Sequence, residues 1–271
     1  MADRPPGGQL ASVDFELIPL KGALDAVRAL DPGTTVTVTA SPSKGIEPTV
    51  NLALELEAEG YRAVPHLSAR LIESQRDLTA IIKRLDDGGV ARVFVIGGDG
   101  EPRGSYVDAV GLLDNMAEVG HPFLEVGVAG YPEGHPQIPA GRLMDALIEK
   151  QGHASYVVTQ MCFDPETIVG WVESAREAGV TLPVKVGVPG VVDPVRLLTV
   201  GTRIGVGDSL RYLSKNRRTV LRMARLGGFR PDHLVTGVAE HAHRLGIVGL
   251  HVYTFNQVEA TVAWYREFAH R

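Results

Sequence analysis

Acidic, histidine, tyrosine and amide side chains recur at the ends of short apolar runs along this chain. Glu16 stands inside the run DFELIP, where an unpaired carboxylate is costly, and Asp99 closes the run RVFVIGGD. Such groups suit proton transfer and hydrogen bonding to a polar heterocycle. The polar residues in or just after these runs are Glu16, Thr39, Ser41, His66, Ser68, Asp99, Tyr131, Glu133, His135, Gln160, His251, Tyr253 and Asn256.

These candidates also have purely structural interpretations. Glu16 can be paired with a neighbouring charge, but an acid that keeps its proton for chemistry is the favoured interpretation. Asp99, within GGDG, can be a turn residue, and His66 can be a core histidine. His135 lies in the turn-rich YPEGHP and suits either role, while Gln160 can simply bond a neighbouring strand.

The elements that must position these residues are eight β-rich runs that alternate with segments of helical periodicity. The runs occupy residues 14–19, 34–40, 62–68, 92–99, 125–130, 156–163, 184–190 and 249–254. Asp164, Pro165 and Glu166 form an N-cap, an N1 proline and a first-turn acid, and Gly179 stops the helix that they begin. Short spacings between the runs leave room for one helix in each crossover.

Eight strand–helix units in 271 residues predict an α/β fold, a (β/α)8 barrel. We expect a flexible tail over 1–11, a single catalytic domain over 12–271, and two or three extra helices between strands 7 and 8, within 191–248. The alternative is an open doubly wound sheet, for which six strands are more usual. Barrel chemistry takes place at the C-terminal ends of the strands, so Lys185, the second residue of strand 7, is expected at the wrong end for catalysis.

Composition narrows the classes of function. The chain has 27 Lys and Arg against 32 Asp and Glu, a net charge of −5 that argues against a nucleic-acid or membrane partner. Cys162 is the single cysteine, so a thiolate metal cage is excluded, and no HExxH pattern suggests another metal site. No signal peptide or long apolar run is evident. We expect a cytoplasmic enzyme with a small-molecule substrate, and a homo-oligomer stays open.

Five blocks of the chain, in order, resemble those of the methylenetetrahydrofolate reductase family. DFELIPLKG is similar to the SFEFFPPK of that family, VPHLS to PHLTC, VVTQMCFD to ITQxFFD, and GLHVYTFNQVEAT to GxHFYTLNRxEAT. AGYPEGHP matches its family counterpart residue for residue. The resemblance runs from residue 13 to residue 262, and it covers nearly the whole chain.

The resemblance implies a barrel that reduces 5,10-methylenetetrahydrofolate to 5-methyltetrahydrofolate with a reduced nicotinamide dinucleotide, usually through bound FAD. It implies that Glu16 is the catalytic acid and that Asp99 lies near the flavin and the pterin. Gln160 and Tyr253 match positions on the folate side. The positions that match flavin contacts of the family are Thr39, His66, Tyr106, Tyr131 and His135.

The chain departs from the family where the flavin diphosphate would be held. Gly97 replaces the arginine of LRGD, and Ile148 and Glu149 replace the arginine and lysine of LKRKVDAGA. Lys150 is one position further along, which turns it by ~100° on a helix. A glutamate beside a diphosphate turns attraction into repulsion. Pro194 stands in the region where the family has a ligand-stacking phenylalanine.

Three hypotheses follow from these observations. In the first, NADH or NADPH, with NADH preferred, gives its hydride directly to the folate, and FAD is not used. The second is a conventional FAD enzyme with a modified diphosphate site. The third is a non-catalytic folate- or flavin-binding barrel, against which Glu16, Asp99 and Gln160 argue.

Overall fold

Eight parallel strands form a closed barrel, with each strand paired to its neighbours in chain order and β1 paired to β8. This computed structural model describes Leu10, residues 12–191 and residues 230–270. The predicted (β/α)8 fold is confirmed. Strands β1 to β8 are Ser12–Leu17, Thr35–Val38, Arg62–Ser68, Arg92–Ile96, Glu125–Gly130, Tyr156–Thr159, Val184–Pro189 and Ile247–Tyr253.

Helices surround the barrel and fill the crossovers between strands. Within the described ranges, helices α1 to α9 are Ala23–Ala26, Glu47–Ala58, Gln75–Asp87, Ala109–Val119, Ala140–Lys150, Pro165–Glu177, Asp232–Ala239, Ala242–Leu245 and Val258–Ala269. Short 3-10 turns follow α1 and β3. In these same ranges no helix combines the length and the apolar character that crossing a membrane requires.

The helices form where the sequence carries both a cap and an apolar face. Asp164 accepts hydrogen bonds from the backbone N–H groups of Glu166 and Thr167 at the start of α6, as predicted, and Gly179 follows that helix with a φ of 89°. Ser74 caps α3 in the same way by accepting from the Asp77 N–H. The apolar faces of these helices pack on the outside of the barrel in one extended core.

The barrel interior is more polar than the layer between strands and helices. Its apolar part is a small cluster of Val64, Phe94, Tyr156 and Val158. Ionisable groups occupy the rest of its centre and floor: Asp14, Glu16, His66, Lys185 and His251. At the floor, Lys185 Nζ lies 2.6 Å from Asp14 Oδ2 and 4.4 Å from the centre of the Tyr156 ring. Lys185 therefore lies at the end of the barrel opposite to the C-terminal strand ends, as its place in strand 7 indicates.

Several predicted strand limits are wrong at their C-terminal ends. Strand β4 ends at Ile96 rather than Asp99, because Gly98 has a φ of 85° that breaks the extended backbone. A Cβ at Gly98 would lie 1.9 Å from Ser68 Oγ, so this turn admits only glycine. Strand β6 likewise ends at Thr159, and the predicted residues 160–163 belong to the loop that leads to the Asp164 cap.

Two of the predicted additions to the barrel are only partly described. Helices α7 and α8 lie between β7 and β8, as expected, while residues 192–229, including Pro194, lie outside the described residues. Of the expected tail at 1–11, only Leu10 is described, and it is buried in the core.

Candidate active site

Glu16 lies at the centre of the barrel, in the interior below the C-terminal ends of the strands. Glu16 pairs in register with Thr37 on β2 and with Tyr253 on β8. It therefore lies between two polar residues of the neighbouring strands. Alternate residues of a strand point to the same side, which places Asp14 and Glu16 on one face of β1. The Glu16 side chain is 13% exposed, so it is largely buried but still reachable from the mouth.

Two buried histidines approach the same oxygen of Glu16. His251 Nε2 lies 3.2 Å from Glu16 Oε2, within hydrogen-bonding range, and His66 Nε2 lies 3.8 Å from it. Burial lowers the pKa of His66 to about 4, with Glu16 opposing the shift and His251 adding to it. His66 is therefore neutral at physiological pH, and it packs against Phe94 with ring centroids 4.7 Å apart.

The mouth above Glu16 is lined by two tyrosines. The Tyr253 hydroxyl donates to the carbonyl of Thr159 at 3.2 Å, and burial together with Glu16 raises its pKa well above the usual value. Burial and the Asp99 carboxylate raise the pKa of Tyr131. Each shift reports a nearby acid, so Glu16, Tyr253, Tyr131 and Asp99 belong to one electrostatic neighbourhood.

Hydrogen bonds of Gln160 connect the loop that follows β5 to the end of β6. Its Oε1 accepts from the Glu133 N–H at 3.3 Å, and its own N–H donates to the Gly130 carbonyl at 2.8 Å. On the same loop, the rings of Tyr131 and His135 meet edge to face with centroids 5.6 Å apart. The structure thus brings Tyr131, His135 and Gln160 together at one side of the mouth.

Asp99 is exposed, on a loop that Arg70 holds in place. The Arg70 guanidinium donates to the carbonyls of Gly100 and Val107 at 3.0 and 2.9 Å. The Arg70 carbonyl accepts from the Arg103 N–H, and the Arg70 N–H donates to the Gly97 carbonyl. Four bonds to one residue therefore fix the loop on both sides of Asp99, a role that no sequence pattern indicated.

The two remaining candidates have different surroundings. Thr39 lies one residue beyond β2, and its N–H donates to the Leu17 carbonyl at 2.9 Å, next to β1 and its acid. Tyr106 is buried, and its hydroxyl bonds to Asn115 on α4. Burial, with the charges of Glu118 and Asp77 on α4 and α3, raises the pKa of Tyr106. Its hydroxyl consequently lies among the helices, away from Glu16.

The C-terminal end of α5 presents no cation to the solvent at the positions compared with the family pattern. Ile148 is 40% exposed, and Glu149 is also exposed. Lys150 points inward, where it is 6% exposed and its Nζ donates to the Ala129 carbonyl at 3.0 Å. Burial lowers the pKa of Lys150 to about 8, although Asp108 opposes the shift.

His251 is the important residue that sequence reasoning named without assigning a role. The sequence signal for His251 was the alternation of side chains along a strand. Tyr253 was singled out, and His251, two positions earlier on the same strand, shares its face. What could not be read from the sequence was the register of β1 against β8, which pairs Glu16 with Tyr253 and so sets His251 below the acid.

Two solved structures resemble this chain in fold. A tryptophan synthase structure from M. tuberculosis superposes with a TM-score of 0.54 over 97% of this chain and 94% of that chain, at 12% identity. A putative lyase/mutase from Burkholderia cenocepacia J2315 gives a TM-score of 0.51 over 97% and 82% of the two chains, also at 12% identity. At such low identity these likenesses establish the fold alone.

Three sequence relatives are named as methylenetetrahydrofolate reductases or probable ones. A probable methylenetetrahydrofolate reductase (NADPH) from Caenorhabditis elegans is 31% identical over 38% of this chain and 16% of its own length. Methylenetetrahydrofolate reductase (NADH) 1 from Zea mays is 25% identical over 67% of this chain, and a probable NADH enzyme from Oryza sativa subsp. japonica is 24% identical over 70%. The matches span only 34% and 37% of these plant proteins.

The family itself is settled by a longer match. The sequence model described as methylenetetrahydrofolate reductase matches residues 20–199, about two thirds of the 271 residues. That range contains Asp99, Gln160 and the AGYPEGHP block. The chain therefore belongs to the methylenetetrahydrofolate reductase family.

Proposed function

We propose that this protein reduces 5,10-methylenetetrahydrofolate to 5-methyltetrahydrofolate within one-carbon and methionine metabolism, and that a nicotinamide dinucleotide gives its hydride directly to the folate. The observation that carries the proposal is the largely buried Glu16 carboxyl below the mouth of a barrel of this family, with His251 within hydrogen-bonding range. An acid in that position has access to a ligand from one side only.

Glu16 supplies the step that the substrate needs first. The carbon to be reduced bridges two nitrogens of a five-membered ring, and hydride cannot add until the ring opens to an iminium cation. Opening requires a proton on the leaving nitrogen, and a largely buried carboxylic acid is a suited donor. Asp99, near Tyr131 at the mouth, contributes negative charge toward the cation. Gln160 and Tyr253 bind the folate.

The surroundings of α5 support direct transfer without a flavin. A flavin diphosphate needs cations or several N–H donors. Gly97, Ile148 and Glu149 offer no cation, and the Lys150 ammonium is bonded to the Ala129 carbonyl inside the protein. The residues present therefore fit the family's diphosphate site poorly. We propose that Thr39, His66, Tyr131 and His135 instead contact the ribose and amide of the dinucleotide.

NADH is the donor that we propose in preference to NADPH. The Zea mays and Oryza sativa relatives, which match about two thirds of this chain, are named for NADH. The Caenorhabditis elegans relative is named for NADPH, but it matches 38% of the chain. Comparing kcat/KM for the two dinucleotides tests the preference.

A visible spectrum and initial-rate kinetics decide between the proposal and its alternatives. We expect purified protein to be colourless and to oxidise NADH only when methylenetetrahydrofolate is present. Direct transfer requires both substrates to be bound together, so reciprocal plots should intersect, and deuterium from NADH should appear in the product methyl group. Parallel lines, or activity only after FAD is added, would establish the conventional flavin enzyme. Binding of folate or flavin without any turnover would establish a non-catalytic barrel.

A further inference from the structure

The His251 imidazole lies against the Glu16 carboxyl, and the family resemblance assigns it no role. Its Nε2 is 3.2 Å from Glu16 Oε2, and the His251 side chain is 1% exposed. A polar ring that is buried to this degree needs a hydrogen-bond partner. Without one, the ring loses its hydrogen bonds to water and gains none within the protein. Glu16 is the only polar group for which a hydrogen bond of this ring is seen among the described residues.

The surroundings of the ring select its tautomer. His251 Nδ1 is buried without a hydrogen-bond partner among the described residues, whereas Nε2 faces Glu16. A proton on Nδ1 alone would leave a buried N–H without an acceptor, which is rare and costly. A proton on Nε2 donates to Glu16 Oε2 and leaves only an acceptor unbonded. The geometry therefore favours a proton on Nε2 of His251.

The second histidine cannot take the same role. His66 Nε2 is 3.8 Å from the same Glu16 oxygen, beyond a hydrogen bond, and its ring packs against Phe94. Because both rings approach Oε2, the described contacts leave Oε1 to whatever enters from the mouth. The two oxygens of Glu16 are thus made unequal by the protein.

We propose that His251 is a positioning residue which, by donating to Oε2, leaves the acid proton of Glu16 on Oε1. The inference rests on the proposed reduction of methylenetetrahydrofolate. In the ring-opening step the Oε1–H bond breaks, the proton bonds to the leaving nitrogen, and that nitrogen takes the electron pair of its broken C–N bond. His251 keeps its own proton. The resulting carboxylate retains the same donor, and hydrogen bonds to ionised acceptors are roughly twice as strong as neutral ones.

Two substitutions of His251 distinguish the effect of its N–H donor from the effect of its ring shape. His251→Phe keeps a similar ring without a donor, and His251→Gln can place an amide N–H near the former Nε2. We expect Phe to lower kcat by ~10²-fold, the usual effect of losing one donor to a developing anion. The KM for the folate should stay within about twofold, because the bond strengthens only as the proton leaves. Gln should recover at least ~10-fold of that loss.

His121 provides the matched control. It is a partly buried histidine whose Nδ1 also lacks a partner among the described residues, and it stacks on Phe123 just before β5. His121→Phe and His121→Gln should leave kcat unchanged. Thermal melts of all four variants confirm that each protein is folded at the assay temperature.

A double-mutant cycle tests whether His251 acts through Glu16. Effects of residues that act as one unit are not additive. In a Glu16→Gln background, His251→Phe should therefore lower the residual kcat by less than ~2-fold. An additional ~10²-fold loss, or equal losses in the Phe and Gln variants, would overturn the proposal.

A spectroscopic test is independent of activity and so separates this inference from the proposed function. In protein labelled with ¹⁵N-histidine, two-bond ¹H–¹⁵N correlations report which ring nitrogen carries the proton. The His251 signals are identified by their loss in His251→Gln. We expect Nε2–H in the ligand-free protein. An Nδ1–H signal refutes the positioning role, whereas Nε2–H with no folate reduction refutes only the proposed reaction.

Discussion

Asp14 and Glu16 are two acids on the same face of strand β1, two residues apart, and they have opposite kinds of partner. The Asp14 carboxylate is 2% exposed and bonded to the Lys185 ammonium at 2.6 Å, which itself lies over Tyr156. Glu16 is 13% exposed and faces the imidazoles of His251 and His66. One acid is closed off at the barrel floor, and the other is open toward the mouth.

The difference shows how one strand can carry both a structural and a chemical acid. An ammonium stabilises a buried carboxylate as an anion, so the floor pair resists any change of charge. An imidazole N–H donor accommodates a carboxylic acid or a carboxylate with little rearrangement. We therefore expect Asp14 to contribute to stability and Glu16 to turnover, and the predictions below test this division.

Glu16→Gln should have the largest effect. Glutamine is nearly isosteric but cannot deliver a proton, and general acid catalysis contributes ~10²–10⁴-fold. We expect kcat to fall by that factor while folate affinity and the melting temperature stay close to the wild-type values. Steady-state kinetics and a folate-binding titration measure both. Near wild-type turnover would remove Glu16 from the role of acid.

Lys185→Met should reverse the pattern, with a loss of stability instead of activity. Removing one partner of a buried ion pair leaves an uncompensated charge, here that of Asp14, and costs ~3–5 kcal/mol. We expect the free energy of unfolding in urea to fall by about that amount. The control is Asp14→Leu with Lys185→Met, which should recover most of the loss. A lower kcat at unchanged stability would contradict the division between floor and centre.

His66 should make stability depend on pH between about 4 and 6.5. Burial lowers the pKa of His66 to about 4. Between that value and about 6.5, the His66 imidazole is therefore protonated in the unfolded chain and not in the folded protein. The free energy of unfolding should therefore fall as the pH is lowered through that window, by at most ~3 kcal/mol. His66→Phe should lose this part of the slope, which urea titrations at several pH values measure. Equal slopes in the two proteins would mean that His66 is charged beside Glu16.

Asp99→Asn should have the smallest effect and extends the comparison to an exposed acid. A charge at the surface acts through a high dielectric, so its influence on a cation at the mouth is modest. We expect kcat to fall by ~3–10-fold, equivalent to about 1 kcal/mol, with an unchanged circular dichroism spectrum. An unchanged rate together with an unchanged folate affinity would reduce Asp99 to a turn residue.

The fold was predictable because its signals are local. Eight β-rich runs with short crossovers, and caps such as Asp164, require no knowledge of distant contacts. The strand ends were harder, since β4 stops where Gly98 meets Ser68, a contact between two strands. The polar residues of the β-rich runs also included Glu16 and Tyr253, both of which lie at the site.

The finer arrangement of the site depends on contacts that periodicity does not encode. Tyr106 was matched to a flavin-contact position of the family, and its hydroxyl bonds to Asn115 on helix α4. Lys150 was expected to turn away from its family position, but its burial onto the Ala129 carbonyl follows from how α5 packs on β5. Arg70 gave no signal, because a residue that bonds only backbone carbonyls leaves no partner to recognise in the sequence.

The pairing of β1 with β8 also determines when the site comes into being during synthesis. Glu16 and His251 are 235 residues apart, so the acid is translated well before its partner. At roughly 5–20 residues per second, the nascent chain carries β1 as an unpaired edge for many seconds before β8 emerges. Such an edge is prone to pair with other chains. Closure of the barrel thus protects this edge and completes the acid's surroundings in a single event.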